Sequence, residues 1–500
     1  MSTDLNSTNE TAGDRRIYLE AMVDYNRTFG RHDVNAMLLY NQDELVNNVP
    51  GNNLINSLPK RKQGLAGRLS YAYDGKYMAE VNMGYNGSEN FAKGHRWGFF
   101  PSIALGYNIS EESFFEPLRK VITSMKLRGS WGLVGNDQIG GERFIYMPTI
   151  NLSGKGFTTG IDQNYGLSGP VYTRYENNSI TWEVGEKINL GIDLQLLNSL
   201  NIVVDIFRET RRDIFQKKGT IPTYLGTGNT DVFGNLAEMK NQGLDLSIDY
   251  NKAFSKDFYM NFKGTFTYAH NEITKYDEAP KYAFQSKVGQ SANVSQGYLS
   301  NGLFLDEAEI DRYNQQMGST LGAGDIKYLN VSNMHGYGDD IVDVDDWTWI
   351  GNPTVPEIVY GFGPSFKYKN WDFSFFFQGV AKTSLFMSGF HPFGDNSLRN
   401  VLQFVANDRW SPTNQNVDAK YPRLTRKTSL NNTNPGNSGR TSDYWMRDGS
   451  FLKLKNMELG YTFKRMRFYI SGSNLLTFSK FDLWDPEPVS YTHLTLPTIA

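Results

Sequence analysis

The stretch ITWEVGEKINLGIDLQL, residues 180–196, alternates between apolar and polar side chains for seventeen residues. Apolar residues occupy one face, interrupted only by Glu186, and charged, polar or glycine residues occupy the other. A period of two predicts a β-strand with one apolar face and one polar face. Because strands of soluble domains usually run about five or six residues, this length favours a wall that crosses a bilayer as part of a β-barrel.

The composition of the 500 residues is compatible with such a wall. Aromatic residues make up 14% of the chain, and there are 48 glycines. No run of about eighteen apolar residues occurs, which argues against a transmembrane helix, whereas a barrel strand exposes only alternate residues to lipid. The net charge of −3 gives no case for a nucleic-acid partner, and the absence of cysteine excludes disulfides and thiolate metal sites.

The same alternation recurs in pairs of strands along the chain. Tight turns such as Asp74-Gly75 join the two strands of a pair, and long polar segments separate the pairs. One helix is predicted in these segments, at 306–316, with Asp306 as its N-cap. The segments predicted as loops are 41–62, 134–178, 212–240, 271–353 and about sixty residues before Asp448. The fourteen predicted strands lie at 17–29, 34–40, 69–73, 77–85, 99–107, 125–131, 180–196, 200–206, 244–250, 258–268, 360–366, 371–377, 457–463 and 468–472.

The regular exchange of short and long connections is typical of a transmembrane antiparallel barrel, which has short periplasmic turns and long extracellular loops. Tyr77 and Tyr85 bracket Ala79, Val81 and Met83 on one strand face. Eight residues rise roughly 26 Å along a strand, so the two rings stand roughly 20 Å apart in height at the usual tilt, close to the spacing of two aromatic girdles. The predicted fold class is therefore an all-β transmembrane barrel with long extracellular loops.

Several stretches resemble one family, the SusC/RagA-type TonB-linked outer-membrane transporters of Bacteroidetes-like bacteria. The matches run in order from about Ile17 to Glu487, and they are specific as a set. They are RWGFFPSIALGY at 96–107 followed by ISEESF at 109–114, KLRGSWG at 126–132 with Gly135-Asn136, TWE at 181–183 with NLGID at 189–193, Asn235 with Met239, Asn241, Gly243 and Leu244, RDGSFLKLKN at 447–456, and Asp485-Pro486-Glu487.

The resemblance implies a 22-stranded outer-membrane barrel with an N-terminal plug and a segment that contacts the TonB complex. It further implies import of large nutrients, glycan oligosaccharides or peptides, beneath a SusD-like surface lipoprotein that acts as a lid. We interpret residues 1–490 as a portion of the barrel, with about fourteen of the expected 22 strands. The plug, TonB box and signal sequence are then expected upstream, and residues 491–500 are interpreted as a foreign tail.

Two other functions fit the same residues. A passive outer-membrane porin would lack a plug upstream, and a surface adhesin or scaffold barrel would show no uptake of a ligand. An enzyme is not predicted, because the chain contains no nucleophile elbow, P-loop or dinucleotide fingerprint. We therefore assign no catalytic residue and expect no cofactor.

The acidic stretch from Asp325 to Asp346 carries many oxygen ligands, which calcium prefers. Its spacing is interrupted by Val331, Met334 and His335, and no closing bidentate Glu is present. The stretch therefore has two interpretations, a solvated acidic loop and a calcium loop, and the spacing favours the former. We assign no metal ligand.

Aromatic side chains in the long segments form the candidate substrate-binding residues. Rings can stack on sugar faces or grip a peptide at the barrel mouth, or they can pack loop on loop or against the lid. The candidates are Tyr165, Tyr172, Tyr175, Trp347, Trp349 and Trp410, and further loop rings are Tyr224, Phe233, Phe390 and Phe393.

Overall fold

A computed structural model describes residues 13–47, 55, 58–154, 156–222, 230–313, 315–316, 321–337, 339–387, 401–424 and 441–487. The expected foreign tail, 491–500, and the rings of Tyr224, Phe390 and Phe393 lie outside the described residues.

Strands dominate the described residues. The first group comprises β1 (Asp14–Phe29), β2 (His32–Asn47), β3 (Lys60–Tyr73), β4 (Tyr77–Ser88), β5 (Trp97–Asn108), β6 (Ile122–Asn136), β7 (Thr149–Gly154), β8 (Thr158–Thr159), β9 (Tyr165–Gly166) and β10 (Gly169–Arg174). The second comprises β11 (Glu183–Leu196), β12 (Leu200–Lys217), β13 (Phe233–Ala253), β14 (Phe258–Lys275), β15 (Ser295–Gly297), β16 (Ser300–Leu303), β17 (Gln315–Gln316) and β18 (Ile326–Tyr328). The third comprises β19 (Ile341–Val342), β20 (Thr348–Ile350), β21 (Ile358–Tyr368), β22 (Trp371–Ala381), β23 (Ser384–Phe386), β24 (Met446–Asp448), β25 (Phe451–Phe463) and β26 (Met466–Ser479).

Helices are short and lie in the connections. The α-helices are α1 (Glu307–Arg312), α2 (Val331–Met334) and α3 (Gln403–Asn407). The 3-10 helices are Ile109–Glu111, Ser113–Leu118, Ala283–Gln285, Val344–Asp346 and Asp443–Trp445. Within the described part of the chain, every helix is too short or too polar to cross a membrane.

Fourteen strands form one antiparallel sheet, as the alternation predicts. The strands follow one another in chain order, β1 to β6, β11 to β14, β21, β22, β25 and β26. The chain divides into two compact units, one of Met1–Leu244 with Asn271–Ala279 and the other of Asp245–His270 with Pro280–Ala500. The predicted fold class, an all-β barrel, is confirmed.

The apolar face of the sheet is exposed, and its register is continuous from strand to strand. Val81, Ile103, Trp131 and Ile188 are successive cross-strand partners on β4, β5, β6 and β11. Such apolar side chains outside a protein core are the pattern of a lipid-facing wall. We call this side of the sheet the outer face and the opposite, polar side the inner face.

Aromatic rings line both ends of this outer face. Tyr77 stacks on Tyr107, with ring centroids 5.2 Å apart, beside the short turns. Tyr85 stacks on Trp97 at 4.8 Å, beside the long loops. The two rows occupy the positions expected of aromatic girdles.

The strand predicted at 180–196 is shorter in the structure, because β11 begins at Glu183. The backbone of Thr181 is hydrogen-bonded at both its N–H and its carbonyl to the side-chain amide of Asn235, at 2.9 and 3.0 Å. Ile180 and Trp182 are buried in a loop cluster instead of continuing the wall. The alternation there reflects packing between loops, and the prediction of a seventeen-residue strand is wrong at its first three residues.

Several predicted loops are too long, because strands continue into the polar segments. β2 and β3 extend into 41–62, where Asp43 pairs with Lys62 and Glu44 with Arg61 across the ladder. β12 and β13 likewise extend into the predicted loop at 212–240. A ladder needs only backbone partners, so polar cross-strand pairs sustain it where no apolar pattern signals a strand.

Candidate functional site

The inner face of the first unit carries a charged cluster at mid-strand. Arg128 on β6 donates to Asp193 on β11 through Nε and Nη2, at 2.8–3.1 Å, and to Asp205 on β12 through Nη2 at 2.9 Å. Gly191 lies between them, and a Cβ there would stand 2.5 Å from an Asp205 oxygen and 2.8 Å from the Arg128 guanidinium carbon. The absence of a side chain at Gly191 therefore allows the guanidinium to lie against the ladder.

A second polar group on the inner face is centred on Glu80 of β4. Its carboxylate accepts hydrogen bonds from Ser70 at 2.7 Å and from Asn82 at 2.9 Å. Like the arginine cluster, it presents fixed charge and amide groups toward the inside of the wall. Such groups can hydrate a lumen and contact a polar solute.

The loops of the first unit form a small core at the long-loop end. Phe91, Ile139, Ile145, Ile180 and Trp182 are buried together. Polar anchors surround them: Asp137 accepts from Lys62 and from Ser88, both at 2.7 Å. These loops therefore have a fixed arrangement close to the wall.

Buried Arg174 anchors the ribbon formed by β7 and β10. Its guanidinium donates to Glu142 at 2.6 Å and to the carbonyls of Arg143 and Met147 at 3.3 and 3.2 Å. Tyr172 and Tyr175 flank it and stack on each other at 5.2 Å, with both rings exposed. Tyr165 on β9 is more exposed, at 64%. The first three candidate rings thus lie on one loop assembly with accessible surfaces.

The three tryptophan candidates belong to the second unit and differ in exposure. Trp347 is exposed and meets Tyr298 edge-on at 6.0 Å. Trp349 is partly buried and donates its Nε1–H to the carbonyl of Ser286 at 2.9 Å. Trp410 is only 4% exposed and lies in the core of the loop assembly. Because the loops fold around it, the Trp410 ring packs loop on loop, which is one of the two arrangements considered for these rings.

That loop assembly is the largest departure from the sequence predictions for 271–353 and for the segment before Asp448. Buried side chains from β16, β18, β19, α3 and the Asp443–Trp445 helix form one apolar core, with Tyr328 and Trp445 fully buried. The helix predicted at 306–316 is present only in its first part, as α1, and Asp306 accepts from the Glu309 N–H at 2.7 Å as its N-cap. The prediction is wrong beyond Arg312, because the backbone of Tyr313 is extended and Gln315–Gln316 forms β17. A folded core rather than a structureless loop therefore connects β14 to β21 and β22 to β25.

Ion pairs reinforce this assembly. Asp325, which is fully buried, accepts from Arg423 at 2.5 and 3.2 Å and from the Gly322 N–H at 3.0 Å. The hydrogen bond that Arg423 donates to Asp325 holds the pKa of the guanidinium above its ordinary value. Burial raises the pKa of Tyr444, whose hydroxyl donates to the Ala419 carbonyl at 2.8 Å.

The acidic stretch from Asp325 to Asp346 serves mainly as a set of caps and anchors. Asp343 caps the Val344–Asp346 helix, and Asp346 accepts from the N–H groups of Ser332 and Asp343 at 2.9 and 2.8 Å. Burial raises the pKa of Asp346 despite these hydrogen bonds. Asp345 pairs with Lys281. Among the described residues, no group of three His, Cys, Asp or Glu side chains is arranged to hold a metal ion.

A group of stacked rings in the second unit has no signal in the sequence alone. Tyr282 stacks on Phe284 at 5.4 Å, Phe284 on His335 at 4.6 Å, and Tyr337 contacts Tyr282 at 4.2 Å. These rings come from segments about fifty residues apart. Only the folding of the loops brings them together, and no spacing rule would have joined them.

Comparison with known proteins gives consistent results. The profile of the TonB dependent receptor-like β-barrel family matches residues 2–475. TonB-dependent receptor SusC of Bacteroides thetaiotaomicron is 28% identical over 447 residues, covering 84% of this chain and 41% of SusC. TonB-dependent receptor P26 of Formosa agariphila is 27% identical over 496 residues, covering 91% of this chain and 47% of that receptor. The chain therefore spans somewhat less than half the length of these relatives.

Among solved structures, the RagAB peptide transporter superposes with a TM-score of 0.68 at 20% identity. The match covers 95% of this chain and 53% of the RagAB chain. At this identity the likeness concerns the fold alone.

Proposed function

Because this chain belongs to the TonB dependent receptor-like β-barrel family, whose members reside in the outer membrane, we propose that it is the barrel portion of an energised importer of large nutrients. The observation that best supports the proposal is the difference between the two faces of the sheet. Exposed apolar side chains with aromatic rows face outward, and the charged clusters of Arg128 and Glu80 face inward. A wall of that kind separates lipid from an aqueous path.

The proposed cargo is a glycan oligosaccharide or a peptide, captured between the external loops and a SusD-like surface lipoprotein. Energy would come from the TonB complex. Likeness to SusC and to the RagAB peptide transporter supports this assignment. The relatives are receptors for transport, and no enzymatic activity is proposed.

The ring pair Tyr172 and Tyr175 is the first place where we propose ligand contact, together with Tyr165. The rings are accessible, and Arg174 holds their ribbon in place. Stacked rings of this kind offer flat apolar faces to a sugar or to an apolar peptide side chain. Trp347 and Trp349 are secondary candidates, whereas the burial of Trp410 assigns it to the loop core.

Uptake by the native organism tests the proposal. A strain lacking the gene should lose uptake of one fraction from a mixture of labelled oligosaccharides and peptides, and the intact strain should lose it when the proton gradient is collapsed by an uncoupler. Uptake that persists with the uncoupler would favour a passive porin, and equal uptake by both strains would favour an adhesin or scaffold. Co-purification of a surface lipoprotein with the intact receptor tests the lid.

A further inference from the structure

The connection between β5 and β6 is the longest of the connections at the short-turn end of the sheet. Its residues, 109–121, form the 3-10 helices Ile109–Glu111 and Ser113–Leu118. Ser110 and Phe115 are buried, and the Arg119 Nε–H donates to the Ser110 carbonyl at 2.7 Å. The β5–β6 connection is therefore a folded element with a defined surface.

One carboxylate fixes the β5–β6 connection against the outer face of the sheet. Glu112 accepts from the Tyr77 hydroxyl at 2.6 Å and from the Tyr107 hydroxyl at 3.4 Å. Lys76 approaches the same carboxylate at 3.7 Å. The hydrogen bond from Tyr77 lowers the pKa of Glu112. Because Tyr77 and Tyr107 form the aromatic row beside the short turns, the connection lies at the level of that row.

The surface of the β5–β6 connection carries three exposed apolar side chains. Phe114 is 68% exposed, Leu118 52% and Val121 57%. The N–H of Leu197, itself an exposed residue in the β11–β12 turn, donates to the Val121 carbonyl at 2.8 Å. Exposed apolar side chains that gather at one place mark a membrane or protein contact.

We propose that the β5–β6 connection docks into the phospholipid leaflet on the short-turn side, with Phe114, Leu118 and Val121 among the acyl carbons next to the headgroups. Three observations favour lipid as the occupant. The tether runs to lipid-facing rings, three large apolar residues of the connection are exposed, and Arg119 and Lys120 stand exposed beside them. Cationic side chains next to an apolar patch suit the phosphate level of a leaflet.

The charges of the β5–β6 connection indicate which lipid headgroups it contacts. Glu111 and Glu116 accompany Arg119 and Lys120, so the exposed charges are mixed rather than uniformly basic. Mixed charge matches a zwitterionic headgroup, whereas a strongly anionic surface recruits clusters of Lys and Arg. The docking is independent of whether the protein imports a nutrient.

Quenching of a site-specific label tests the docking. The chain contains no cysteine, so Phe114→Cys and Leu118→Cys each introduce one attachment point for a bimane label within it. Lys256→Cys in the exposed β13–β14 turn serves as the control. The intact receptor is reconstituted in phosphatidylcholine vesicles, and quenching by a shallow spin-labelled phosphatidylcholine is compared with quenching by aqueous iodide.

Labels at 114 and 118 are expected to be quenched several-fold more by the spin-labelled lipid than the label at 256, and several-fold less by iodide. Equal iodide quenching at all three positions would overturn the proposal. Shielding from iodide in native outer-membrane vesicles but not in lipid vesicles would also overturn it, because the occupant would then be a protein. Heat-modifiable mobility on gels verifies that each variant retains a folded barrel.

Variants of the tether add a second test. Glu112→Ala removes the acceptor for Tyr77 and Tyr107, whereas Glu116→Ala removes an exposed carboxylate from the same segment. Iodide quenching at 114 should increase with Glu112→Ala and stay unchanged with Glu116→Ala. The same quenching in both variants would overturn the positioning role of Glu112.

Discussion

The sheet and the external loops of this protein are stabilised in opposite ways. Twelve large side chains are fully buried in the described part of the chain, and Lys453 is the only one of them in the fourteen-stranded sheet. The others lie in the loops and their short strands, among them Trp445, Tyr328 and Phe91. The sheet exposes most of its large apolar residues, whereas the fully buried large apolar residues of the described chain lie in the loops.

This difference separates two roles of apolar side chains. On the outer face of the sheet they define contact with lipid, and backbone ladders hold the strands together. In the loops they form cores of the kind found in soluble domains, where close packing stabilises the fold. The external part of the second unit is thus organised like a small globular domain between barrel strands.

Removal of a buried loop ring should give the largest effect. Trp445→Ala empties a fully buried position, and loss of a large core ring costs about 3–5 kcal/mol. The local unfolding free energy of the second unit's loops, measured by hydrogen exchange, should fall by that amount. Leu459→Ala on the outer face of β25 leaves no internal cavity and should cost less than about 1 kcal/mol. Equal losses of unfolding free energy in the two variants would contradict the proposal that apolar side chains stabilise the loops by packing but do not stabilise the sheet in this way.

Loss of the buried ion pair between Asp325 and Arg423 should give the second largest loss of stability. Asp325→Ala leaves the Arg423 guanidinium without its carboxylate. Breaking a buried pair costs about 3–5 kcal/mol, and the partial exposure of Arg423 reduces the expected loss to about 2–3 kcal/mol. Limited proteolysis within the loops should accelerate accordingly. Asp340→Ala, at an exposed position of the same acidic stretch, should leave the cleavage rate unchanged.

Acid should release the segment that follows β26. Lys453 donates to Asp485 at 2.6 Å and to Glu487 at 2.9 Å, and Lys455 donates to Glu487 at 2.6 Å. Partial burial opposes ionisation, but these hydrogen bonds prevail and lower the pKa of both carboxylates. A lowered pKa adds stability above the ordinary carboxylate value, and this stability is lost as the pH falls below about 4.

Hydrogen exchange of 480–487, corrected for the intrinsic effect of pH, should therefore lose protection below about pH 4. Lys453→Met should reduce this pH dependence, and the double variant with Lys455→Met should remove most of it. Lys480→Met, which alters an exposed lysine next to Asp448, is the control and should retain it. Protection that is constant down to pH 3 would show that the carboxylates do not hold the segment.

The smallest effect concerns the long-loop edge of the wall. Trp131 on β6 donates its Nε1–H to Glu186 at 2.9 Å, and Arg212 donates to the same carboxylate at 3.0 Å. Trp131→Phe removes one exposed hydrogen bond and should lower the unfolding free energy by at most about 1 kcal/mol. Trp97→Phe retains a ring on Tyr85 and serves as the control. A larger loss at Trp131 would mean that this contact lies in a dry environment.

Sequence patterns predict the sheet well and the loops poorly, for a physical reason. The alternation of apolar and polar residues is a local pattern, so Leu190, Ile192 and Leu194 predict both a strand and its outer face. The burial of Trp410 and the stacking of Phe284 on His335 depend on contacts between distant segments. The N-cap of α1 was predictable because Asp306 acts within one turn. At Ile180 the alternation misleads, since a hydrogen-bonded anchor at Asn235 redirects the chain.

The charged residue that interrupts the first alternating stretch agrees with this picture. Glu186 lies one cross-strand row beyond Ile188 and Trp131, and its partners are Trp131 and Arg212. Ile188, Leu190 and Ile192 are exposed on the outer face below it. The polar contacts thus begin where the apolar band ends, which is where we place the outer edge of the membrane.

Labelling of neighbouring cysteines on β11 tests the two-sided wall most directly. Leu190→Cys lies on the outer face and Asn189→Cys on the inner face, one residue apart. In native outer membranes the label at 190 should be quenched by spin-labelled lipid and shielded from aqueous iodide, and the label at 189 should show the reverse. Equal quenching of both labels by iodide would contradict the assignment of this strand to a membrane-crossing wall.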